Sequence, residues 1–320
     1  MLNLFVLIAV IVFLAWISVR AWRAKAAWIK WGGAGLAGLS AAALALICAL
    51  MIAGMYKLHL RNAPAPEVKV AGTPGQIQRG QAIASNFCGG CHSKTGTLTG
   101  GYDIGKDFTV PLGSFVSSNL TPAGPLKYWS DSEIFRAIRN GIDADGHWLY
   151  VMSLTNAGKL SDDDIKSLIA YIRTIPAAGQ ETADPPDRLK PLGLVMLGAG
   201  MLPSGNPVFT GVISSPPKGP TAQYGEYIVS YQDCRQCHGA NLHGGVEGQL
   251  GPIGPDLTVV KEWKREDFIA TLRTGTDPNG HELDGKVMPW RQIGQMDDDE
   301  LSALYEFLTH LQASQAAAAN

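Results

Sequence analysis

The sequence predicts an all-α protein in which an N-terminal transmembrane helical hairpin is followed by two copies of one helical domain. Three observations support this prediction. Two long apolar segments open the chain, a set of residues recurs at a spacing of 133 to 136 positions, and no segment alternates as a strand would. A chain that is 46% hydrophobic and 17% charged, with a net charge of −2, is neither disordered nor a nucleic-acid binder.

Charge is distributed unevenly along the chain. The first 66 residues contain six of the 26 basic residues and none of the 28 acidic ones. An apolar, basic segment therefore precedes an acidic body. Such a body disfavours polyanionic partners and favours a protein partner with a basic docking face.

The two apolar segments, 2–19 and 32–56, are each long enough to approach or exceed the length of a membrane span. Between them lies WRAKAAWIKW, whose basic residues mark the cytoplasmic side and whose tryptophans mark the interface. We expect residues 1–60 to form a two-helix anchor with the N-terminus and the body outside. A cleaved signal peptide is the alternative, but the start MLNLF lacks a positive region and a second apolar segment follows.

Four of the five cysteines fall into two copies of the pattern C-x-x-C-H. The copies are Cys88-Gly-Gly-Cys91-His92 and Cys234-Arg-Gln-Cys237-His238. This pattern is typical of covalent haem c attachment, because two thiols on one helical turn can bond both vinyl groups and the histidine can ligate the iron. A structural zinc site would have its C-x-x-C pairs roughly 15 to 20 residues apart, and a thioredoxin-like pair would have a βαβ setting. The sequence therefore predicts two covalently bound haem c groups, both following the second span and thus outside the membrane.

Helix signals surround both motifs. Segments 76–87 and 222–233 lead into them, with Gly80 and Gly225 placed for close helix contact. A capping box at Ser130-Asp-Ser-Glu133 opens a helix that should end at Gly141. Ser161 and Asp297 each precede a further apolar-periodic helix.

Each motif is followed by a methionine in matching context. Met152 and Met288 are the predicted second iron ligands, and a soft, neutral thioether ligand raises the reduction potential. His147 and His281 precede them in an Asp/Asn-Gly-His turn and are the competing ligands, although a loop histidine bonded to nearby polar groups is the favoured interpretation. When a methionine fills the sixth coordination position of the iron, no site is left there for a small molecule.

The repeat sets the domain boundaries. Met152 corresponds to Met288 at an offset of 136, and Arg139 corresponds to Arg273 at 134. We expect domains at 61–175 and 221–313, a proline-rich linker at 176–220 and a short tail at 314–320. The linker is expected to be mostly extended, with one apolar stretch, 192–202, that lies against a domain or a partner. Arg139 and Arg273 are candidate partners of the haem propionates.

These residues resemble the class I cytochrome c superfamily over roughly 76–175 and 221–312. Within it, Ser118-Asn-Leu-Thr-Pro122, Trp129-Ser-Asp-Ser-Glu133 and Cys237-His-Gly-Ala-Asn-Leu-His-Gly-Gly245 resemble the multihaem cytochrome c subunits of membrane-bound alcohol, aldehyde and related periplasmic dehydrogenases. The resemblance implies two tandem cytochrome c domains that transfer electrons. This chain differs in having two haem motifs rather than three and an N-terminal anchor.

The expected function is that of a membrane-anchored dihaem c-type cytochrome with no catalytic residues of its own. It would carry electrons between a redox partner protein, a dehydrogenase in particular, and the respiratory chain at the bacterial inner membrane, with both domains on the periplasmic face. A dihaem subunit of a cbb3-type haem-copper oxidase is one alternative. A dihaem peroxidase is a weaker one, because peroxide needs an open iron and both halves offer a methionine.

Overall fold

Thirteen α-helices and one two-stranded sheet make up the regular structure of residues 2–182, 186–249 and 251–312, which are the residues that the computed structural model describes. The predicted tail at 314–320 lies outside them. The chain divides into two compact units. The hairpin unit is taken from Met1–Arg61, Gly105–Ser114 and Arg188–Ser204, and the haem-motif unit is taken from Asn62–Ile104, Phe115–Asp187 and Gly205–Asn320.

The hairpin unit contains the two predicted apolar helices. Helices α1 (Leu2–Trp22) and α2 (Ala34–Leu58) pack against each other and are joined through a π-helical turn at Ile29–Gly33. Ser18 Oγ of α1 donates a hydrogen bond to Ala34 O of α2 at 2.8 Å, which joins the two helices at this point. The apolar windows have mean hydropathies of 2.3 and 2.4, so both helices can cross a membrane by length and composition. The predicted N-terminal hairpin is confirmed.

The haem-motif unit contains two halves with the same helix order. The first half holds α3 (Pro74–Ile83), α4 (Gly89–His92), α5 (Asp131–Asn140), α6 (Tyr150–Leu154) and α7 (Asp162–Ile172). After α8 (Pro191–Gly198), which belongs to the hairpin unit, the second half holds α9 (Ala222–Tyr231), α10 (Cys234–His238), α11 (Arg265–Thr274), α12 (Trp290–Ile293) and α13 (Asp298–Thr309). The predicted all-α class is confirmed, and only the three-residue strands β1 (Gly113–Phe115) and β2 (Asp187–Leu189) depart from it among the described residues.

Local sequence signals set the helix ends as predicted. The capping box of Ser130 and Glu133 opens α5, and Gly141 ends it at a φ of 62° in the left-handed region. Ser161 caps α7, and a second capping box at Asp297 opens α13. The predicted helix at 76–87 is instead α3 followed by a π-helical turn at Ala84–Cys88, which leads directly into the first haem motif.

One helix crossing in each half depends on a glycine. A Cβ on Gly80 of α3 would lie 1.9 Å from Ser167 O of α7, and a Cβ on Gly225 of α9 would lie 2.0 Å from Ala303 O of α13. The backbones therefore touch at equivalent points of the repeat, which confirms the close contacts predicted at both glycines. This crossing holds the helix before each motif against the last helix of the same half.

The apolar stretch predicted within the proline-rich linker is helical and packs against α2. Residues 191–198 are helical rather than extended, and the hairpin unit takes in both this helix and residues 105–114. Residues 206–213 run along the first half, where Phe209 exchanges two hydrogen bonds with the Asn140 side chain. Asp162 and Ile213 pair through their backbone and the Asp162 carboxylate.

Candidate haem-binding sites

Both motif histidines are held in the same way. His92 Nδ1 lies 2.8 Å from Ser118 O, and His238 Nδ1 lies 2.8 Å from Pro255 O. A carbonyl oxygen only accepts, so Nδ1 must carry the proton and Nε2 keeps its lone pair. Such an outer hydrogen bond fixes the tautomer and orientation of a metal-ligating histidine. Burial lowers the pKa of His92, which also favours the neutral ring.

Glycines allow the backbone to approach each histidine closely. A Cβ on Gly254 would lie 2.8 Å from His238 Nδ1, and a Cβ on Gly100 would lie 2.4 Å from Ser118 O, the carbonyl that holds His92. Any side chain at these positions would displace the ring or its acceptor. The loops after both motifs are therefore shaped around the histidine.

The motif cysteines are suited to an apolar cofactor. Burial raises the pKa of Cys88 and of Cys234 to about 12, so both thiols are neutral in the folded chain. Across the described ranges no cluster of three or more His, Cys, Asp or Glu side chains could hold a metal ion. The residues fit covalent haem better than zinc.

The two methionines occupy equivalent places after equivalent turns. Met152 lies in α6, Met288 lies two residues before α12, and both are half-buried. The turn before Met152 closes with a hydrogen bond from His147 N to Asp143 Oδ1 at 2.7 Å. The turn before Met288 closes with the same bond from His281 N to Asp277 Oδ1 at 2.9 Å.

The His147 ring has a partner within that turn. Its Nδ1 lies 3.0 Å from Asp143 Oδ2. This contact is the nearby polar bond that the loop interpretation of His147 predicts. An outer hydrogen bond would equally orient a ligating ring, so the choice between the two roles of His147 stays a prediction.

The two candidate propionate partners, Arg139 and Arg273, bond to equivalent acceptors within the protein. Arg139 donates to Gly158 O at 2.5 Å, to Leu160 O at 2.6 Å and to the Asp162 carboxylate at 2.6 Å. Arg273 likewise donates hydrogen bonds to Gly294 O and, at 3.0 Å, to Asp298 Oδ1. Each arginine thus braces the first residue of the last helix in its half. Pairing of Arg139 and Arg273 with haem propionates stays a prediction.

The two motifs approach each other through equivalent residues. Gln232 Nε2 donates to Asn86 Oδ1 at 3.0 Å, and each of these residues lies two positions before the first cysteine of its motif. Beside them the rings of Phe87 and Tyr231 meet edge to face at 5.9 Å. Contact between equivalent residues indicates a pseudo-two-fold axis between the halves, with both haem motifs next to it.

Each motif also lies against the methionine segment of the other half. Asp233, directly before Cys234, accepts hydrogen bonds from Asn156 N at 2.9 Å and from Asn156 Nδ2 at 2.6 Å, just beyond α6. On the opposite side of the axis, α12 contacts the π-helical turn Ala84–Cys88. The packing around one predicted iron site therefore includes the backbone that presents a ligand to the other.

A buried ion-pair network completes the contact between the halves. Arg79 Nε lies 2.7 Å from Asp164 Oδ1, and Arg79 Nη1 lies 2.5 Å from Glu300 Oε1. The two carboxylates are equivalent residues of the repeat and share this one arginine. Tyr227 OH donates to Asp164 Oδ2 at 2.5 Å and accepts from Ser161 N at 2.8 Å.

Asp233 gives this contact a pH dependence. Burial raises the pKa of Asp233 to about 6, against 3.8 for an ordinary aspartate, although the bonds from Asn156 act in the opposite direction. The folded protein thus holds this proton more tightly than the unfolded chain does, and stability falls as pH rises from about 4 through about 6. We expect Asp233→Asn to exceed the wild type in free energy of unfolding at about pH 8 by up to about 3 kcal/mol.

Denaturant titrations at about pH 4, 6 and 8 check this prediction. The advantage of Asp233→Asn should shrink to less than about 1 kcal/mol at the lowest pH, where the wild-type carboxyl is protonated in the folded state and partly protonated in the unfolded chain. Asparagine tolerates the φ of 59° at this position, so the substitution adds no backbone strain. Asp145→Asn, in an exposed loop, is the matched control. An equal pH profile for the two variants would contradict the prediction.

Several of these residues have no signal in the sequence. The acceptors for the histidines are backbone carbonyls, which any residue type supplies. Arg79 and Asp233 resemble ordinary charged residues until their distant partners are seen. The pairing of Asn86 with Gln232 could have been suspected only from their equal spacing to the two motifs.

The repeated helix order, the paired C-x-x-C-H motifs and the carbonyl-held histidines define a c-type cytochrome with two similar domains. The family model described as "Cytochrome C oxidase, cbb3-type, subunit III" matches residues 75–172 and 220–308, more than half of the chain. The chain belongs to this cytochrome c family, and haem c is the cofactor of its motifs.

Three curated proteins are similar in sequence. The fructose dehydrogenase cytochrome subunit of Gluconobacter japonicus is 34% identical over 140 residues, 41% of this chain and 27% of that protein. A nicotinate dehydrogenase subunit of Pseudomonas putida is 25% identical over 318 residues, 91% of this chain and 26% of that protein. The cytochrome c subunit of the quinone alcohol dehydrogenase of Gluconobacter oxydans is 28% identical over 235 residues, 69% of this chain and 47% of that protein. The chain thus spans between a quarter and a half of the length of these relatives.

Proposed function

We propose that the protein is a membrane-anchored dihaem cytochrome that carries electrons from a dehydrogenase to the respiratory chain. The observation that carries this proposal is the presence of two complete haem motifs, each with its histidine held by a carbonyl, whose leading segments contact each other through equivalent residues. The names of the three relatives support a dehydrogenase as the electron donor. The anchor and the basic turn between its helices support the inner membrane, with the haem domains on the periplasmic face.

The residues of each half have separate tasks. A bound haem supplies one-electron redox chemistry. Cys88 with Cys91, and Cys234 with Cys237, would fix it to the chain, and His92 or His238 would hold the iron through Nε2. Met152 and Met288 would be the second iron ligands and would keep small molecules away. None of these tasks transforms a substrate, so the protein acts as an electron carrier.

Methionine ligation predicts a selective change in potential. In Met152→His, we expect the reduction potential of one haem to fall by on the order of 0.1 V or more, because axial ligands set haem potentials over a range of about 0.8 V. The other haem should be unchanged, and Met288→His should lower the second potential instead. Potentiometric titration of the purified holoprotein measures both, and the absorption band specific to methionine-ligated ferric haem provides an independent readout.

Met201→His is the matched control, because Met201 is exposed and lies outside both halves. His147→Ala should also leave the methionine band in place. If either of these variants lost the band, or if Met152→His left both potentials unchanged, the proposed ligand set would be wrong.

The donor is tested in the native membrane. The full chain, extracted in a mild detergent, should co-purify with a dehydrogenase whose substrate reduces both haems. Co-purification with haem-copper oxidase subunits would instead support the description of the matching family and reverse the direction of electron flow. Turnover with hydrogen peroxide would overturn the carrier function.

A further inference from the structure

The segment that connects the two halves returns to the membrane hairpin. Helix α8 has the sequence PLGLVMLG, and no charged residue occurs between Pro191 and Pro217. Pro191 at the first turn suits a helix start, because its missing N–H needs no acceptor there. Arg188 and Lys190 precede the helix. An uncharged helix with a basic flank has the composition of a membrane-associated segment.

Helix α8 touches α2 backbone to backbone. A Cβ on Gly54 would lie 2.1 Å from Leu194 O, and a Cβ on Gly198 would lie 1.9 Å from Leu50 O. Reciprocal glycines of this kind are the means by which helices in membranes approach closely. Lys57 Nζ donates to Leu197 O at 2.9 Å and to Gly198 O at 3.2 Å, so the end of α8 is capped by α2 itself.

The contact fixes the depth of α8. Leu50 lies eight residues before the last residue of α2, about 12 Å along the helix axis, and Gly54 lies about 6 Å before it. Both belong to the apolar span Ile29–Leu58, whose 30 residues exceed a hydrocarbon core of about 30 Å. A helix whose backbone contacts Leu50 therefore reaches the level of the acyl chains.

Apolar side chains remain exposed around this contact. Leu192 is 43% exposed and Met201 is 68% exposed, and Phe108 and Val110 of the second added segment are exposed as well. All four lie in the hairpin unit, together with the exposed Met55 of α2. Their apolar surface belongs to the same unit as a helix already suited to lipid, and lipid is the medium that covers apolar surface at least cost.

We propose that α8 is a third membrane-inserted helix, seated among the lipids of the leaflet on the side of the haem domains. The consequence concerns how the two halves are tethered. The first half begins at residue 62, shortly after α2, and its last residue, 187, directly precedes the segment that leads into α8. Both of its chain ends are therefore anchored. The second half follows α8 in the chain, beginning after residue 220. The proposal depends on the anchor and not on the identity of the electron donor.

Photolabelling of the full holoprotein in phospholipid vesicles tests the insertion. An apolar diazirine probe dissolved in the bilayer should label peptides from α1, α2 and residues 191–202, and should leave 205–213 unlabelled. Labelling of α2 without labelling of 191–202 would overturn the proposal. A change of electron donor would not affect this result, so the two proposals fail independently.

Cysteine accessibility provides the second measurement. In a Cys48→Ala background, Leu192→Cys and Met201→Cys should react with a membrane-impermeant maleimide at least tenfold more slowly in vesicles than in detergent. Val212→Cys, at a site 77% exposed in the haem-motif unit, is the control and reports which molecules face outwards. Rapid reaction of Leu192→Cys in vesicles would place α8 in water. Protection without photolabelling would mean that protein covers it, and either result overturns the proposal.

Discussion

Gly80→Ala is expected to destabilise the first half by more than about 3 kcal/mol, and to reduce the yield of protein that carries both haems. The added Cβ would lie 1.9 Å from Ser167 O and 2.9 Å from the Tyr171 Cβ, so α3 and α7 must separate. Overpacking of a core costs about 1–3 kcal/mol when side chains can adjust, and here the obstacle is backbone. Denaturant unfolding of the holoprotein measures the change.

Gly75 offers a matched control on the same helix. A Cβ on Gly75 would meet nothing within 4 Å, so Gly75→Ala should gain stability of up to about 1 kcal/mol from helix propensity. Gly225→Ala should reproduce the Gly80→Ala loss in the second half, because its Cβ would meet Ala303 O. If Gly80→Ala were as stable as Gly75→Ala, the close crossing of α3 and α7 would be refuted.

Arg79→Met is expected to cost about 3–5 kcal/mol, because it leaves two buried carboxylates without their cation. The Glu300 side chain is fully buried and that of Asp164 is 9% exposed. These carboxylates belong to different halves, so the loss should also weaken the coupling between them. Unfolding of the variant should separate into two transitions, which calorimetry of the holoprotein would detect.

Two further variants distinguish the network from a simple loss of charge. Lys218→Met removes the cation of an exposed pair with Asp297 and should cost at most about 1 kcal/mol. Arg79→Met combined with Glu300→Gln should recover part of the loss, because one buried charge is removed. If Arg79→Met and Lys218→Met were equally stable, the proposed bridge between the halves would be wrong.

Features that arise from neighbouring residues could be predicted. The apolar segments and the capping boxes at Ser130 and Asp297 depend on interactions within one or two turns. The glycines at 80 and 225 could be predicted because they occupy equivalent places in the repeat. The C-x-x-C-H motifs carry their chemistry in five consecutive residues, so haem c could be predicted without the fold. The order of helices followed because both halves contain the same signals.

The role of the helix-end arginines could not be predicted in this way. Arg139 and Arg273 occupy positions from which a guanidinium group could reach a haem propionate or a carboxylate. Only the packed structure shows that the two arginines bond to Asp162 and Asp298. The charge of an arginine side chain does not by itself decide which negatively charged group it bonds to.

By itself, the sequence determined what this protein is made of: a membrane hairpin, two haem c motifs and the ends of the helices that surround them. The tertiary structure alone decided which residues meet. Arg79 and Glu300 are 221 positions apart, Asn86 and Gln232 are 146 apart, and Lys57 reaches an α8 carbonyl 140 positions away. The physical reason is that helix propensity and capping act over a few residues. Burial and close packing instead depend on which surfaces the whole chain brings together.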